Sequence, residues 1–189
     1  MKNRIIASLV GGIIIFLWQF LSWNVAGIHN GDTKYHPRQT EIMNALSANI
    51  TEDGMYMLPT TAPGASRADE EKLMEDMKGK PVASIMYIKS FEVNMVRSMI
   101  RGFLVDVFLV FLLIYILTRG GTPPFIRVVA GSVSTGLFTW LWGPYTGHIW
   151  FNLPWDSISG HLIDALVAWG ICGLWLGWFM NRRKVTVRR

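Results

Sequence analysis

Long apolar runs alternate with shorter polar segments along the chain, and this pattern predicts four membrane-spanning helices. The hydrocarbon core of a bilayer is about 30 Å thick, and a helix of about 20 mostly apolar residues can cross it. Runs of about this length occur four times in the sequence. They cover residues 5–28, about 100–117, about 125–142 and about 161–180.

The first apolar run follows the basic residues of MKNR, an arrangement that cleaved secretion signals also have. Its apolar part is far longer than the roughly 7–15 residues of such a signal, and no clear cleavage site follows it. We therefore expect residues 1–28 to form an uncleaved signal anchor. Residues 98–180 then hold the other three membrane helices, and residues 181–189 form a basic tail.

Lysine and arginine are concentrated near both termini and between the second and third runs. Residues 1–4, 118–127 and 181–189 together contain nine Lys or Arg and no Asp or Glu. Cytoplasmic loops of membrane proteins are enriched in these basic residues. The distribution predicts that both termini are cytoplasmic and that residues 29–97 lie outside. It also explains the net charge of +5 without a nucleic-acid partner.

Residues 29–97 are predicted to form a small extracytoplasmic cap. The four-residue spacing of Ile42, Leu46 and Ile50 predicts a short amphipathic helix, and Ser66 can cap a second one. The segments DGMYMLP and PVASIMYIKSF are strand candidates. The expected fold is thus an all-α membrane protein of four helices, with a small α+β cap between the first and second helices.

The composition supports a membrane protein. Hydrophobic residues make up 51% of the chain and charged residues 16%, against about 25% charged residues in a typical soluble domain. Cys172 has no second cysteine with which to form a disulfide or a CxxC motif. No GxSxG, HExxH or phosphate-binding glycine loop is present. The sequence therefore favours a protein that is not an enzyme.

Polar side chains near the predicted outer helix ends are the candidate functional residues. An ionisable group within a bilayer is costly and suggests a function. Asp106 and Asp164 are expected roughly 5–10 Å below the outer surface. His161 and Asp164 share one helix face because they are three residues apart. The full candidate cluster comprises Gln19, Asn24, Arg101, Asp106, His148, His161 and Asp164.

Several interpretations of this cluster are open. The side chains can hydrogen-bond the helices together, or they can form a proton, ion or substrate site. His161 and Asp164 can bind a metal ion, with His148 as a third ligand. The same pair can also act as an acid and a base on a lipid or quinone.

Methionine is concentrated in the predicted cap, which contains seven of the ten methionines. Met55 and Met57 would point to the same face of a strand. Thioether sulfur suits Cu(I), so a copper site is one interpretation. Packing of flexible side chains in a small, irregular core is the other.

Two further patterns bear on association. Gly170, Gly173 and Gly177 give the fourth helix small residues at a spacing that permits close packing, within the bundle or against another subunit. Aromatic residues crowd the loop 143–160, where Pro144 and Pro154 are expected to interrupt any helix. This loop is expected at the membrane interface or as a lid.

The segments LVGGIIIFLWQFLSW, EDGMYMLP, GKPVASIMY and WFNLPW carry a resemblance over most of the chain. The sequence resembles a group of small four-helix bacterial inner-membrane proteins of unassigned activity. The resemblance implies a bacterial inner-membrane location and the four-helix layout, and it implies no catalytic residues.

From these features we expect a non-catalytic multi-pass membrane protein, an accessory or scaffolding subunit that contacts another membrane protein or a second copy of itself. One alternative is a small ion- or proton-coupled transporter that uses Asp106 and Asp164. Another is a copper-handling protein that uses the Met-rich cap. The sequence requires no cofactor, and copper is the one that it suggests.

Overall fold

The computed structural model describes residues 2–185, and its elements follow the predicted order. A π-helical turn, Leu141–Tyr145, joins the helix Phe125–Trp140 to the helix Thr146–Phe151. The described helices are α1 (Lys2–Asn24), α2 (Gln39–Asn49), α3 (Arg67–Met77), α4 (Met95–Leu117), α5 (Phe125–Trp140), α6 (Thr146–Phe151) and α7 (Trp155–Val185). The described strands are β1 (Gly54–Leu58) and β2 (Ala83–Tyr87).

Within the described residues, four helical stretches are long and apolar enough to cross a membrane. They are Asn3–Asn24, Met95–Leu117, Phe125–Phe151 and Trp155–Arg182. This confirms the predicted number of apolar helices and their order. The basic tail predicted for residues 181–189 is helical as far as Val185, and Arg188 and Arg189 lie outside the described residues.

The segment predicted as an aromatic loop, residues 143–160, is largely helical. Pro144 lies within the π-helical turn, where the changed hydrogen-bonding pattern tolerates a residue without an N–H donor. Asn152, in the left-handed conformation with φ of 52°, ends α6. Pro154 immediately precedes α7, a position at which proline does not disrupt a helix. The fourth long apolar helix, α7, therefore begins six residues before the predicted start at His161.

The four long apolar helices pack through small residues. Helix α1 packs against α4 and α7, and α5 packs against α7. A Cβ atom added to Gly173 would lie 2.7 Å from Cβ of Ser132 on α5, and one added to Gly177 would lie 2.8 Å from the Phe125 ring. A Cβ atom added to Gly170 would meet nothing within 4 Å. Gly173 and Gly177 thus permit the close α5–α7 contact, whereas Gly170 is not needed for it.

The described chain divides into two compact units. The first contains residues 1–34 and 94–189, and the second contains residues 35–93. In the second unit β1 and β2 pair antiparallel, with Gly54 opposite Tyr87 and Leu58 opposite Ala83. The short helices and the strand pair expected for this region are confirmed. Residues 29–34, expected in the cap, belong to the helical unit.

Candidate metal centre

The candidate site lies where α1 ends and α7 begins, which we call the site end of the helical unit. After α1 the chain turns at Gly27, whose φ of +64° favours glycine, and brings His29 back against α7. Gly160 on α7 permits this approach, because a Cβ atom there would lie 3.1 Å from Nδ1 of His29. His29 is consequently buried although it lies in a turn.

A hydrogen-bond network anchors His29 to α1 and α7. Its Nε2 atom lies 2.9 Å from Oδ2 of Asp164 and 3.1 Å from Oγ of Ser22. The Ser22 hydroxyl donates to Oδ1 of Asp164, and Nε1 of Trp18 donates to the same oxygen over 2.9 Å. The carboxylate of Asp164 is thus held by groups from α1 and in turn fixes the orientation of the His29 ring.

The opposite edge of the same imidazole faces a second carboxylate. Nδ1 of His29 lies 2.9 Å from Oδ2 of Asp32, and Nε2 of His161 lies 3.6 Å from that oxygen. One possible ligand atom from each of these residues lies within 4.8 Å of the others. Two imidazole nitrogens and one carboxylate oxygen form a ligand set for Zn²⁺ or another divalent transition metal.

One carboxylate oxygen of Asp32 is free to coordinate a ligand. Its Oδ1 is buried and accepts no hydrogen bond from the described residues. Buried carboxylate oxygens normally have a partner because their desolvation is costly. The missing partner points to a ligand at this carboxylate.

The charges around His29 favour a cation. Burial of the imidazole acts to lower the pKa of His29, but hydrogen bonds and charges from Asp32 and Asp164 outweigh burial and raise that pKa above 6.5. The two carboxylates carry two negative charges when ionised. A divalent ion that replaced the proton at Nδ1 would neutralise both.

Aromatic stacking and two cavities surround the three candidate ligands. The Trp23 ring stacks on the His29 ring at 3.9 Å, with an interplanar angle of 6°. A cleft of about 530 Å³ borders Asp32 and His161. A second cavity, of about 820 Å³, lies among the helices and borders His161 and Asp164. His161 is accessible from both cavities, with 38% of its side chain exposed.

Of the residues predicted from the sequence, Asp106 and Gln19 form a separate pair. Nε2 of Gln19 donates to Oδ1 of Asp106 over 3.3 Å. Asp106 is 3% exposed, and its Oδ2 accepts no hydrogen bond from the described residues. The Nδ2 group of Asn24 donates to the Phe20 carbonyl of its own helix. Arg101 borders a cavity together with Gln19 and Asp106.

His148 lies in a different environment from His161. Its Nδ1 atom is 2.6 Å from the Leu153 carbonyl oxygen, and its ring lies among those of Tyr145 and Trp155 at centroid distances of 6.0 and 5.9 Å. His29, and not His148, is therefore the histidine beside His161.

The predicted Met pair lies on one face of β1. Met55 is directly opposite Met86 on β2 and is 74% exposed, while Met57 is 43% exposed. The assignment of this pair to copper stays a prediction.

Sequence reasoning placed His161 and Asp164 together but missed the groups that complete the site. Those groups are Trp18, Ser22, His29 and Asp32. The segment GIHNGD contains the available signal, since its glycines flank the His, and the Asp follows three residues after that His, just beyond the first apolar helix. The sequence-based prediction placed this segment in the cap, and therefore apart from the helix that contains His161 and Asp164.

Comparisons with known proteins add no further assignment. A scan against protein-family models finds no match, and searches of curated proteins and of solved structures find none either.

Proposed function

We propose that this chain is a non-catalytic multi-pass membrane protein that binds a divalent transition-metal ion through His29, Asp32 and His161. The observation that carries the proposal is the position of the Asp32 carboxylate between the two imidazoles, with Oδ2 at 2.9 Å from one ring and 3.6 Å from the other. Three protein ligands leave room for water or a further ligand on the metal.

The surroundings of His29 support this proposal. Histidine ligands commonly donate their second N–H group to a carboxylate, which fixes the tautomer and strengthens the ligand. Asp164 has this relation to His29, and Trp18 and Ser22 hold Asp164 in place. Because these hydrogen bonds hold the candidate ligand His29 in place, the site differs from a chance group of surface side chains.

Metal binding to the purified, full-length protein tests the proposal. After chelator treatment, calorimetric titration with Zn²⁺ should show one bound ion per chain. H29A and H161Q should each abolish this binding. H148Q is the matched control, because His148 is also a histidine at the site end but is hydrogen-bonded to the Leu153 carbonyl. This variant should retain full Zn²⁺ binding. Equal loss in all three variants, or no binding by the unaltered protein, would refute the proposal.

We also propose a cellular location on the basis of the charge distribution. We place both termini on the cytoplasmic side of a bacterial inner membrane and the metal centre on the outward side. The support is the lack of acidic residues in residues 1–4, 118–127 and 181–189, which together contain nine basic residues. A C-terminal fusion to green fluorescent protein should fluoresce, and one to alkaline phosphatase should be inactive. The reverse pattern would invert the assignment.

The two cavities beside His161 favour a second candidate function, the passage of the cation through the helical unit. Asp164 borders the larger cavity, and Asp106 binds Gln19, which borders the same cavity. Zn²⁺ uptake into vesicles that contain the protein would test this. Uptake that D106N and D164N both abolish would support transport, whereas metal binding without uptake would refute it.

A further inference from the structure

The helical unit has strongly unequal charges at its two ends. Its acidic residues are Asp32, Asp106, Asp156 and Asp164, and residues 1–31, 107–155 and 165–189 contain none. The end at which α1 begins and α7 ends, here called the termini end, therefore has basic residues without acidic ones. Among the residues that the structure describes, an anion at the termini end meets no opposing side-chain carboxylate from this unit.

A pocket of about 260 Å³ opens at the termini end. Arg4 from the first turn of α1 and Arg182 from the last turns of α7 both border it, so residues far apart in the sequence contribute two guanidinium groups. Thr118, which follows α4, also borders the pocket, and its hydroxyl group donates to the Ile114 carbonyl over 2.8 Å. The pocket belongs to neither of the cavities that border the metal centre.

Apolar side chains form one part of the wall, and the polar residues Asn3 and Thr122 also border the pocket. Ile114, Phe179 and Met180 border the pocket beside the two arginines. The Arg182 guanidinium carbon lies 4.2 Å from the centroid of the Phe179 ring. Stacking of this kind restrains a guanidinium while its N–H groups at the edge remain able to bind an anion. The pocket thus combines fixed positive charge with apolar surface.

We infer that this pocket binds a phosphate group, with Arg4 and Arg182 as its cationic ligands. Arginine recognises phosphate through paired N–H donors, and basic pockets between membrane helices bind anionic lipid headgroups. The apolar wall suits the glycerol and upper acyl part of a lipid. The phosphate comes either from an anionic phospholipid or from a soluble phosphate compound, and the two sources are separable by experiment.

Native mass spectrometry of the full-length protein tests this inference. The protein is released from detergent after incubation with phosphatidylglycerol, with phosphatidylcholine, or with inorganic phosphate. One bound phosphatidylglycerol per chain is expected, with much weaker retention of phosphatidylcholine. R4Q and R182Q should each weaken binding about tenfold, since each removes a charge-assisted hydrogen-bond donor. R127Q is the matched control, because Arg127 is an exposed basic residue that does not border the pocket.

The outcomes distinguish the sources and the alternatives. Retention of phosphatidylglycerol that inorganic phosphate does not displace identifies a lipid, whereas displacement at equal concentration identifies a soluble phosphate compound. Either result supports phosphate binding in this pocket if R4Q and R182Q weaken the binding and R127Q does not. Equal weakening by R127Q would show a diffuse charge effect and overturn the inference, as would the absence of binding to either probe. Circular dichroism of each variant verifies that it is folded.

Discussion

Nε2 of His29 lies 2.9 Å from Oδ2 of Asp164, and this contact joins the turn after α1 to the third turn of α7 across 135 residues of sequence. This contact leaves Nδ1 of the same ring facing Asp32. The imidazole is thereby held with one nitrogen toward a supporting carboxylate and the other toward the candidate metal position. The proposed metal site depends on this orientation.

The first prediction concerns Asp164 as a positioning residue. D164N should lower the Zn²⁺ affinity about 10- to 100-fold while the protein still binds one ion, because the His29 ligand loses its charged support but the three ligand residues remain. Calorimetric titration measures both quantities. D156N is the matched control, since Asp156 is an exposed residue of the same helix that pairs with Lys34, and it should leave the affinity unchanged. Equal affinity in D164N and the unaltered protein would contradict the assigned role.

The second prediction concerns the protonation of His29 in metal-free protein. NMR titration should show a pKa for His29 above 6.5, because Asp32 and Asp164 both favour the imidazolium. Since the folded-state pKa exceeds the unfolded one, this group stabilises the fold below the unfolded pKa, and the stabilisation is lost as the pH rises through the folded pKa. D32N should lower the His29 pKa. A value at or below 6.5 in the unaltered protein would contradict this network.

The third prediction concerns the packing of α5 against α7. G173A should lower the free energy of unfolding by about 1–3 kcal/mol, because the new methyl group overlaps Ser132. G170A should be neutral or slightly stabilising, because the position is open and alanine favours a helix. Thermal denaturation in detergent measures the difference. Equal destabilisation by both variants would show that the close contact does not depend on Gly173.

The fourth prediction separates the roles of the carboxylates of Asp106 and Asp164. D106N should change the Zn²⁺ affinity less than twofold, because the hydrogen-bond partner of Asp106 is Gln19, whereas those of Asp164 are Trp18, Ser22 and His29. Changes at sites without shared partners are usually additive. The double variant D106N/D164N should therefore bind as D164N does. A loss in D106N as large as that in D164N would show that both aspartates belong to one site.

The order of the fold could be predicted because each membrane helix requires a long apolar run. The beginning of α7 could not be predicted, because the segment Trp155–Gly160 includes polar residues, follows Pro154 and resembles a loop in sequence. The structure continues the helix there because these residues pack beside the turn that contains His29. Gly160 lies against the Ile28 carbonyl and the His29 ring, and Ile158, which is 1% exposed, packs with Trp140 and Ala165.

The candidate site could be predicted only in part. His161 and Asp164 stood out because ionisable residues are unusual in a membrane helix. His29 and Asp32 did not, because a His and an Asp in a polar turn are common. Tertiary packing brings His29 and Asp32 to the site, because it places Gly160 against the turn that contains them. It also leaves His148 hydrogen-bonded to the Leu153 carbonyl.

X-ray absorption spectroscopy of the zinc-loaded protein tests the central claim most directly. The spectrum should contain scattering from two imidazole rings and a light-atom shell of nitrogen and oxygen at about 2.0–2.2 Å. The same measurement on zinc-loaded D164N, which keeps all three ligands, should again show both rings. Sulfur scattering, which would point to Met55 and Met57, or a spectrum without imidazole would contradict a metal centre at His29, Asp32 and His161.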